Sequence, residues 1–260
     1  MSSELRTRTT VGLALILVAL GALLAGGFLF WLLLVVAGVL MIGEWADLAA
    51  APAEARRLAM FAVSVPLAIL CPLAAGVSWL AFGLMMAALF FILIISRSVR
   101  LALGIPYVCL PVMALLFLRG QPPHVHGLLL AFWALGLVWA TDIGAYFAGR
   151  SIGGPKLAPR VSPSKTWSGL GGGVVAALAL GFVLHLAAGL PIQLAAASGL
   201  LAVAAQLGDL LESWMKRRAG VKDSGTLLPG HGGIMDRLDG VVTAAPIAAL
   251  LYAALIGGAL

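Results

Sequence analysis

Apolar residues fill nine consecutive blocks of 16 to 23 positions, and Gly, Pro and charged residues cluster between the blocks. The blocks cover 10–25, 27–46, 58–75, 77–96, 101–118, 126–148, 169–188, 191–212 and 241–259. Each is near or slightly below the ~20 residues that an α-helix needs to cross the hydrocarbon core of a bilayer. The pattern predicts an all-α, polytopic integral membrane protein of about nine transmembrane helices. Only Gly26 and Gly27 separate the first two blocks, so a single bent segment is the other reading there. The first block lacks a small-residue cleavage site and leads straight into the second, which reads as a retained span and not a signal peptide. Small residues inside the blocks, as at 169–173 and 195–205, read as places where helices approach closely. No repeat period and no separate soluble domain is visible. The chain reads as one membrane domain, with N-terminal spans over 1–125 and two polar loops within 126–260.

Composition agrees, with 62% hydrophobic and 10% charged residues, against roughly 45–50% and about 25% in soluble domains. The net charge is +6, yet no basic patch carries interleaved aromatics, so nucleic acid is not an expected partner. The basic residues instead sort by side. With the N-terminus in the cytoplasm and nine alternating spans, fifteen of the sixteen Lys and Arg residues fall in cytoplasmic segments, and only Arg119 falls outside. Merging the first two spans would set Arg6 and Arg8 against that rule. The expected placement is therefore a multi-pass protein with a cytoplasmic N-terminus and both polar loops on the cytoplasmic side. Cys71 and Cys109 lie in apolar runs, which suggests neither a disulfide framework nor a Cys-based metal site.

The chemistry concentrates in residues 206–239, which hold ten charges in 34 positions. Five are carboxylates (Asp209, Glu212, Asp223, Asp236, Asp239) and five are basic (Lys216, Arg217, Arg218, Lys222, Arg237). Asp209 and Glu212 share a helical face, and Asp236 and Asp239 repeat the spacing. An ionisable group at the end of a span is a functional candidate because burying it unpaired is costly. Two such pairs joined by a Gly-rich loop suit hard oxygen ligation of Mg²⁺, one ion or two; a solvated loop of mutually paired charges is the plainer alternative. The run Pro229-Gly-His231-Gly-Gly233 lets backbone approach a ligand and present N–H groups to phosphate. Lys216, Arg217, Arg218 and Lys222 suit a polyphosphate or ordinary anchoring at the membrane surface, and for Arg218 the anchor is the better reading.

The other polar loop, 150–169, carries Ser162, Ser164, Lys165 and Thr166 around Pro163. It offers hydroxyls and a cation to phosphate without the spacing of a Walker A motif. Asp142 lies within an apolar run, with Tyr146 four residues on, and reads as functional or as a structural acceptor. Glu44 and Asp47 close the second span and read as interfacial, their three-residue spacing leaving a ligand role open. His124 and His126 read as an exposed loop on the outer side, and His185 as a packing residue.

Three ordered segments then resemble a known family: Ser213-Trp-Met-Lys-Arg217, Lys222-Asp-Ser-Gly225 and Leu228-Pro-Gly-His-Gly-Gly-Ile-Met-Asp-Arg-Leu-Asp239. They are similar to the signature of the phosphatidate cytidylyltransferases, or CDP-diacylglycerol synthases. Gln206-Leu-Gly-Asp209, Asp142-Ile-Gly-Ala-Tyr146 and Ser162-Pro-Ser-Lys-Thr166 match as well, and in the N-terminal half Glu44-Trp45. One departure is Ser168, where the family often has Glu or Gln. The resemblance implies transfer of CMP from CTP to phosphatidic acid in the bacterial inner membrane, with release of pyrophosphate, Mg²⁺ as cofactor and a homodimer as the assembly. It assigns Asp209 and Asp236 as main metal ligands, with Asp239 and Glu212 as secondary ones. Lys165, Lys216, Arg217, Lys222 and Arg237 become phosphate contacts, and Ser162, Ser164, Thr166 and His231 complete the polar pocket. The implied catalytic set is Asp209, Asp236, Asp239, Lys165, Lys222 and Arg237, with Asp142, Ser213 and Asp223 among the substrate-binding residues.

Two further membrane enzymes share parts of this pattern. Asp236-Arg-Leu-Asp239-Gly240 opens like the DxxDG motif of CDP-alcohol phosphotransferases, but no acidic residue follows Asp239, so that reading fails. A CTP-dependent polyprenol kinase would share CTP and the membrane while releasing CDP. A transporter would keep its charges along a path at membrane depth between broken helices, whereas here they gather in two loops on one side.

Overall fold

The computed structural model describes residues 3–228, 230 and 232–257, with side chains from residue 9. His231, expected in the polar pocket, lies outside the described residues. Chain order runs α1 (Ser3–Ala25), α2 (Gly27–Leu48), α3 (Ala53–Ile69), α4 (Trp79–Ser96), α5 (Val99–Ala102), α6 (Gly104–Arg119), α7 (His124–Ser151), β1 (Lys156–Ala158), β2 (Ser162–Thr166), α8 (Trp167–Ala188), α9 (Ile192–Ala219) and α10 (Met235–Ile256).

Among the described residues seven stretches are long and apolar enough to cross a membrane: α2, α4, the run Val99–Arg119, α7, α8, α9 and α10. The chain is an all-α, multi-pass membrane protein. The other two expected blocks fall on α1, whose described apolar part, Thr9–Ala25, matches the expected 10–25, and on α3. α3 starts five residues before the expected block and stops at Ile69, its first turns carrying Glu54, Arg56 and Arg57. Its stop is local, because Cys71 precedes Pro72 and a residue before proline avoids the helical region.

The chain forms two compact units. The first holds residues 1–116 and 218–238. There α2 packs on α1 and α3, and α3 on α4. Gly38 lets α2 close on Leu67 and Val108, each 3.0 Å from where its Cβ would stand. Trp45 fixes the far end of α2, donating its indole N–H to Arg100 O at 2.8 Å and lying 4.6 Å from the Tyr107 ring.

The second unit holds residues 117–217 and 239–260. There α7 packs on α8 through small residues: a Cβ on Gly144 would stand 2.6 Å from Gly172 O, and one on Gly173 would stand 2.9 Å from Thr141 O. The small-residue run at 169–173 is thus a helix-packing surface, as expected. α9 and α10 close in the same way at Gly208, whose absent Cβ leaves room for Asp239 O and Thr243. Both α7 and α9 have 28 residues, about 42 Å at 1.5 Å per residue, against a hydrocarbon core of ~30 Å. α9 therefore continues past the expected end at 212 to Ala219, where Gly220 leaves the helix at φ +73°.

Candidate active site

In the second unit a Lys–Asp pair is the centre of a polar group. Lys165 lies in β2, and its Nζ is 2.5 Å from Asp209 Oδ2 on α9. The same ammonium donates to Gln206 Oε1 at 3.0 Å, and the Gln206 amide reaches Asp142 Oδ1 on α7 at 3.4 Å. Gln206 and Asp209 are three apart on α9 and so face the same way. Ser213, one turn further on, donates to Asp209 Oδ1 at 3.3 Å. Asp239 enters from the first turns of α10, near enough for Asp209, Asp142 and Lys165 to act on it electrostatically. Its Oδ1 accepts from Gly240 N at 2.7 Å. Asp142 and Asp239 thus lie within electrostatic reach of the Lys165–Asp209 pair.

The chain reaches Lys165 through the hairpin β1–β2, paired at Lys156 with Thr166 and Ala158 with Ser162. These strands of three and five residues are too short to leave a periodic trace, and the sequence shows only a polar loop. Thr166 then caps α8, its hydroxyl accepting from Gly169 N at 3.1 Å. Trp167 N donates to Pro155 O at 3.1 Å, and Ser168 Oγ donates to Gly153 O. The cap, the pairing and the α7–α8 contact hold Lys165 and Asp142 in fixed relation.

In the first unit the turn after α9 folds around two carboxylates. Asp236, at the start of α10, accepts with Oδ2 from Ser224 N (2.9 Å), Ser224 Oγ (3.0 Å) and Gly233 N (2.8 Å). Glu44, near the end of α2, accepts from Ile234 N (2.8 Å), Met235 N (2.9 Å) and Ser224 Oγ (2.8 Å). The backbone N–H groups at a helix start have no partner inside the helix, so carboxylates there satisfy them and complement the helix dipole. Lys222, Asp223 and Arg237 flank this turn with exposed side chains.

With both groups described, comparison with known proteins gives a family. The model of the Cytidylyltransferase family matches residues 6–255. The chain belongs to that family. Relatives named phosphatidate cytidylyltransferase include one from Brucella suis, 41% identical over 96% of this chain and 93% of its own length. Another, from Pseudomonas aeruginosa, is 40% identical over 96% of this chain and 98% of its own. A third, from Bacillus subtilis, is 48% identical over 49% of each chain. The family match runs through both polar groups.

The site residues expected from the sequence have the following surroundings. Asp142, Lys165, Asp209, Ser213 and Asp239 come together in the second unit, while Asp236 binds Ser224 and Gly233 in the first. Glu212 is fully buried and pairs with Lys216 at 3.1 Å, so Lys216, expected at phosphate, is held by its own helix. Arg217 donates to Val161 O in the hairpin turn at 3.4 Å. Ser162 is half-buried and Ser164 exposed, whereas the Thr166 hydroxyl is taken up by the α8 cap. Two residues were undervalued by sequence reasoning. Gln206 bridges Lys165 and Asp142, although the sequence offered it only as the first residue of the Gln206–Asp209 match and gave it no role. Glu44, read as interfacial at the end of its span, is 7% exposed and its carboxylate is taken up by Ser224, Ile234 and Met235. Asp47, grouped with it by spacing, pairs instead with Arg56 at 3.0 Å.

Proposed function

We propose that this chain transfers CMP from CTP to phosphatidic acid, giving CDP-diacylglycerol and pyrophosphate. The observation that carries the reading is the Lys165–Asp209 pair with Asp142, Gln206 and Asp239 around it, in a chain of the Cytidylyltransferase family. A phosphate oxygen of the lipid attacks the α-phosphorus of CTP; one P–O bond forms, the bond to the β-phosphate bridge breaks, and pyrophosphate leaves. The lipid phosphate is itself the nucleophile, so the protein's part is to position substrates and neutralise charge.

Lys165 is suited to follow charge onto the leaving phosphates, because Asp209 and Gln206 already aim its ammonium. Lys222 and Arg237, both exposed, are kept as proposed phosphate contacts by resemblance. Mg²⁺ fits the donors present. Carboxylate oxygens are its preferred ligands, and it is usually held by one or two carboxylates with waters and substrate phosphates completing the shell. Among the described residues no group of three or more His, Cys, Asp or Glu is arranged to hold a metal ion by itself. Asp209 is the proposed principal ligand. Asp236 is kept as the second by resemblance, with its Oδ2 already accepting three loop hydrogen bonds. When bound, Mg²⁺ would neutralise charge on the triphosphate. A cytoplasmic site in a bacterial inner membrane and a homodimer belong to the same proposal; labelling from either side of sealed vesicles and the mass of the detergent-solubilised protein test them.

The deciding experiment incubates purified protein with labelled CTP, phosphatidic acid and Mg²⁺. Pyrophosphate with a labelled CDP-lipid is expected. CDP with a phosphorylated alcohol would instead assign a CTP-dependent lipid kinase and overturn the proposal.

A further inference from the structure

Glu44 is a carboxylate more than nine-tenths buried at the end of a membrane helix. A buried charge is tolerated where hydrogen bonds replace its water. All three of its donors come from one remote segment, separated from it by 180 to 191 residues: Ser224 Oγ, Ile234 N and Met235 N. That segment makes room for it. A Cβ on Gly225 would stand 2.8 Å from Glu44 Oε1, and one on Gly233 would meet both Glu44 Oε2 and Ser224 Oγ. Ser224 Oγ also bonds Asp236 Oδ2 at 3.0 Å, so the two carboxylates share a donor. Opening the Glu44 contacts would release the cap on α10, the anchor of Asp236 and the turn flanked by Lys222 and Arg237.

We infer that Glu44 is a positioning residue, a latch from α2 that fixes the 224–235 turn in the conformation its neighbours need to bind substrate phosphate. The latch itself rests on the geometry, and only its effect on turnover rests on the proposed cytidylyl transfer. Glu44 touches no substrate in this scheme. It acts through the backbone of Ile234 and Met235.

The experiment measures backbone hydrogen exchange and steady-state kinetics on the full-length protein in detergent, for Glu44→Ala, Glu44→Gln and Gly233→Ala. Losing hydrogen bonds to a charged acceptor should speed exchange of peptides spanning 224–235 by about 100-fold in Glu44→Ala. Glu44→Gln keeps the reach and one acceptor oxygen, so about tenfold is expected there. Gly233→Ala, which crowds the latch from the other side, should act in the same direction. Peptides from α7 and α8 should be unchanged, and KM for CTP should rise by about tenfold or more in Glu44→Ala, with partial recovery in Glu44→Gln. Unchanged exchange at 224–235 would overturn the latch. So would equal acceleration in α7 and α8, which would make Glu44 a general stability residue. If the wild-type protein transfers no CMP to lipid, the proposed activity falls and the exchange comparison still decides the latch.

Discussion

Removing the Lys165 ammonium is the sharpest test of the polar group in the second unit. The charge pair would contribute on the order of 4 kcal/mol at ~4 Å between charge centres and an effective dielectric of about 20. Its side chains are only 16% and 29% exposed, so desolvation cancels much of that gain. What remains is about 1.5–3 kcal/mol, the range for a hydrogen bond to a charged group. Asp142 and Asp239 act electrostatically on the same site, so Lys165→Met leaves three carboxylates without the ammonium between them. The expected loss is about 2 kcal/mol, or roughly 4–8 °C in melting temperature for a chain of this size. Asp209→Asn should cost less, since it also removes a repelling charge. The double variant should be more stable than the two single losses predict, by about 1–2 kcal/mol. Thermal unfolding in detergent gives the four stabilities, and cytidylyl transfer gives the rates, with kcat falling about 10²–10³-fold in Lys165→Met. Single effects that add to within about 0.3 kcal/mol would show that Lys165 and Asp209 do not depend on each other, and would refute the reasoning.

Neighbouring glycines on α8 should behave oppositely. Gly172→Ala places a Cβ against Ala148 and 2.8 Å from Gly144 O and should lose about 1–3 kcal/mol, whereas a Cβ on Gly171 meets nothing within 4 Å and Gly171→Ala should be neutral or stabilising, as melting temperatures will show. Thr166→Ala should cost about 1 kcal/mol through loss of the α8 cap, while Ser164→Ala leaves the melting temperature unchanged. Gly232→Ala should destabilise the turn by about 1–2 kcal/mol, because φ is +81° and the new Cβ would stand 2.6 Å from Asp236 Oδ2; increased protease cleavage within 224–235 would report it. Chelation by EDTA should abolish label transfer from CTP, and added Mg²⁺ should restore it; activity that survives exhaustive chelation would remove the metal from the scheme.

How much could be read in advance differs between the two polar groups. Asp142, Lys165, Asp209 and Asp239 were legible because polar residues in or beside apolar helices are costly, and a costly residue asks for a function. Gln206 carries no charge, so the sequence placed it in a matching segment without a role of its own. Lys216 and Glu212 were placed in the site by charge and by resemblance, and their i,i+4 spacing also pairs them along α9. Thr166 looked like a substrate hydroxyl and serves α8 as its cap. The hairpin β1–β2 was invisible because strands this short have no period to detect.

The sequence by itself determined the membrane architecture and the family. A bilayer allows few ways to satisfy a backbone, so long apolar blocks can only be helices, and the ordered residues of 206–239 survive as a pattern without any coordinates. Helix packing alone decided which charges meet. Lys165 finds Asp209 because β2 leads directly into α8, whose Gly181 lets α9 approach at Ala195 and Ser198, and Glu44 finds Ile234 and Met235 because Gly225 and Gly233 leave space for a carboxylate. Contacts spanning 180 residues or more leave no local spacing to read. They exist only once the helices are in place.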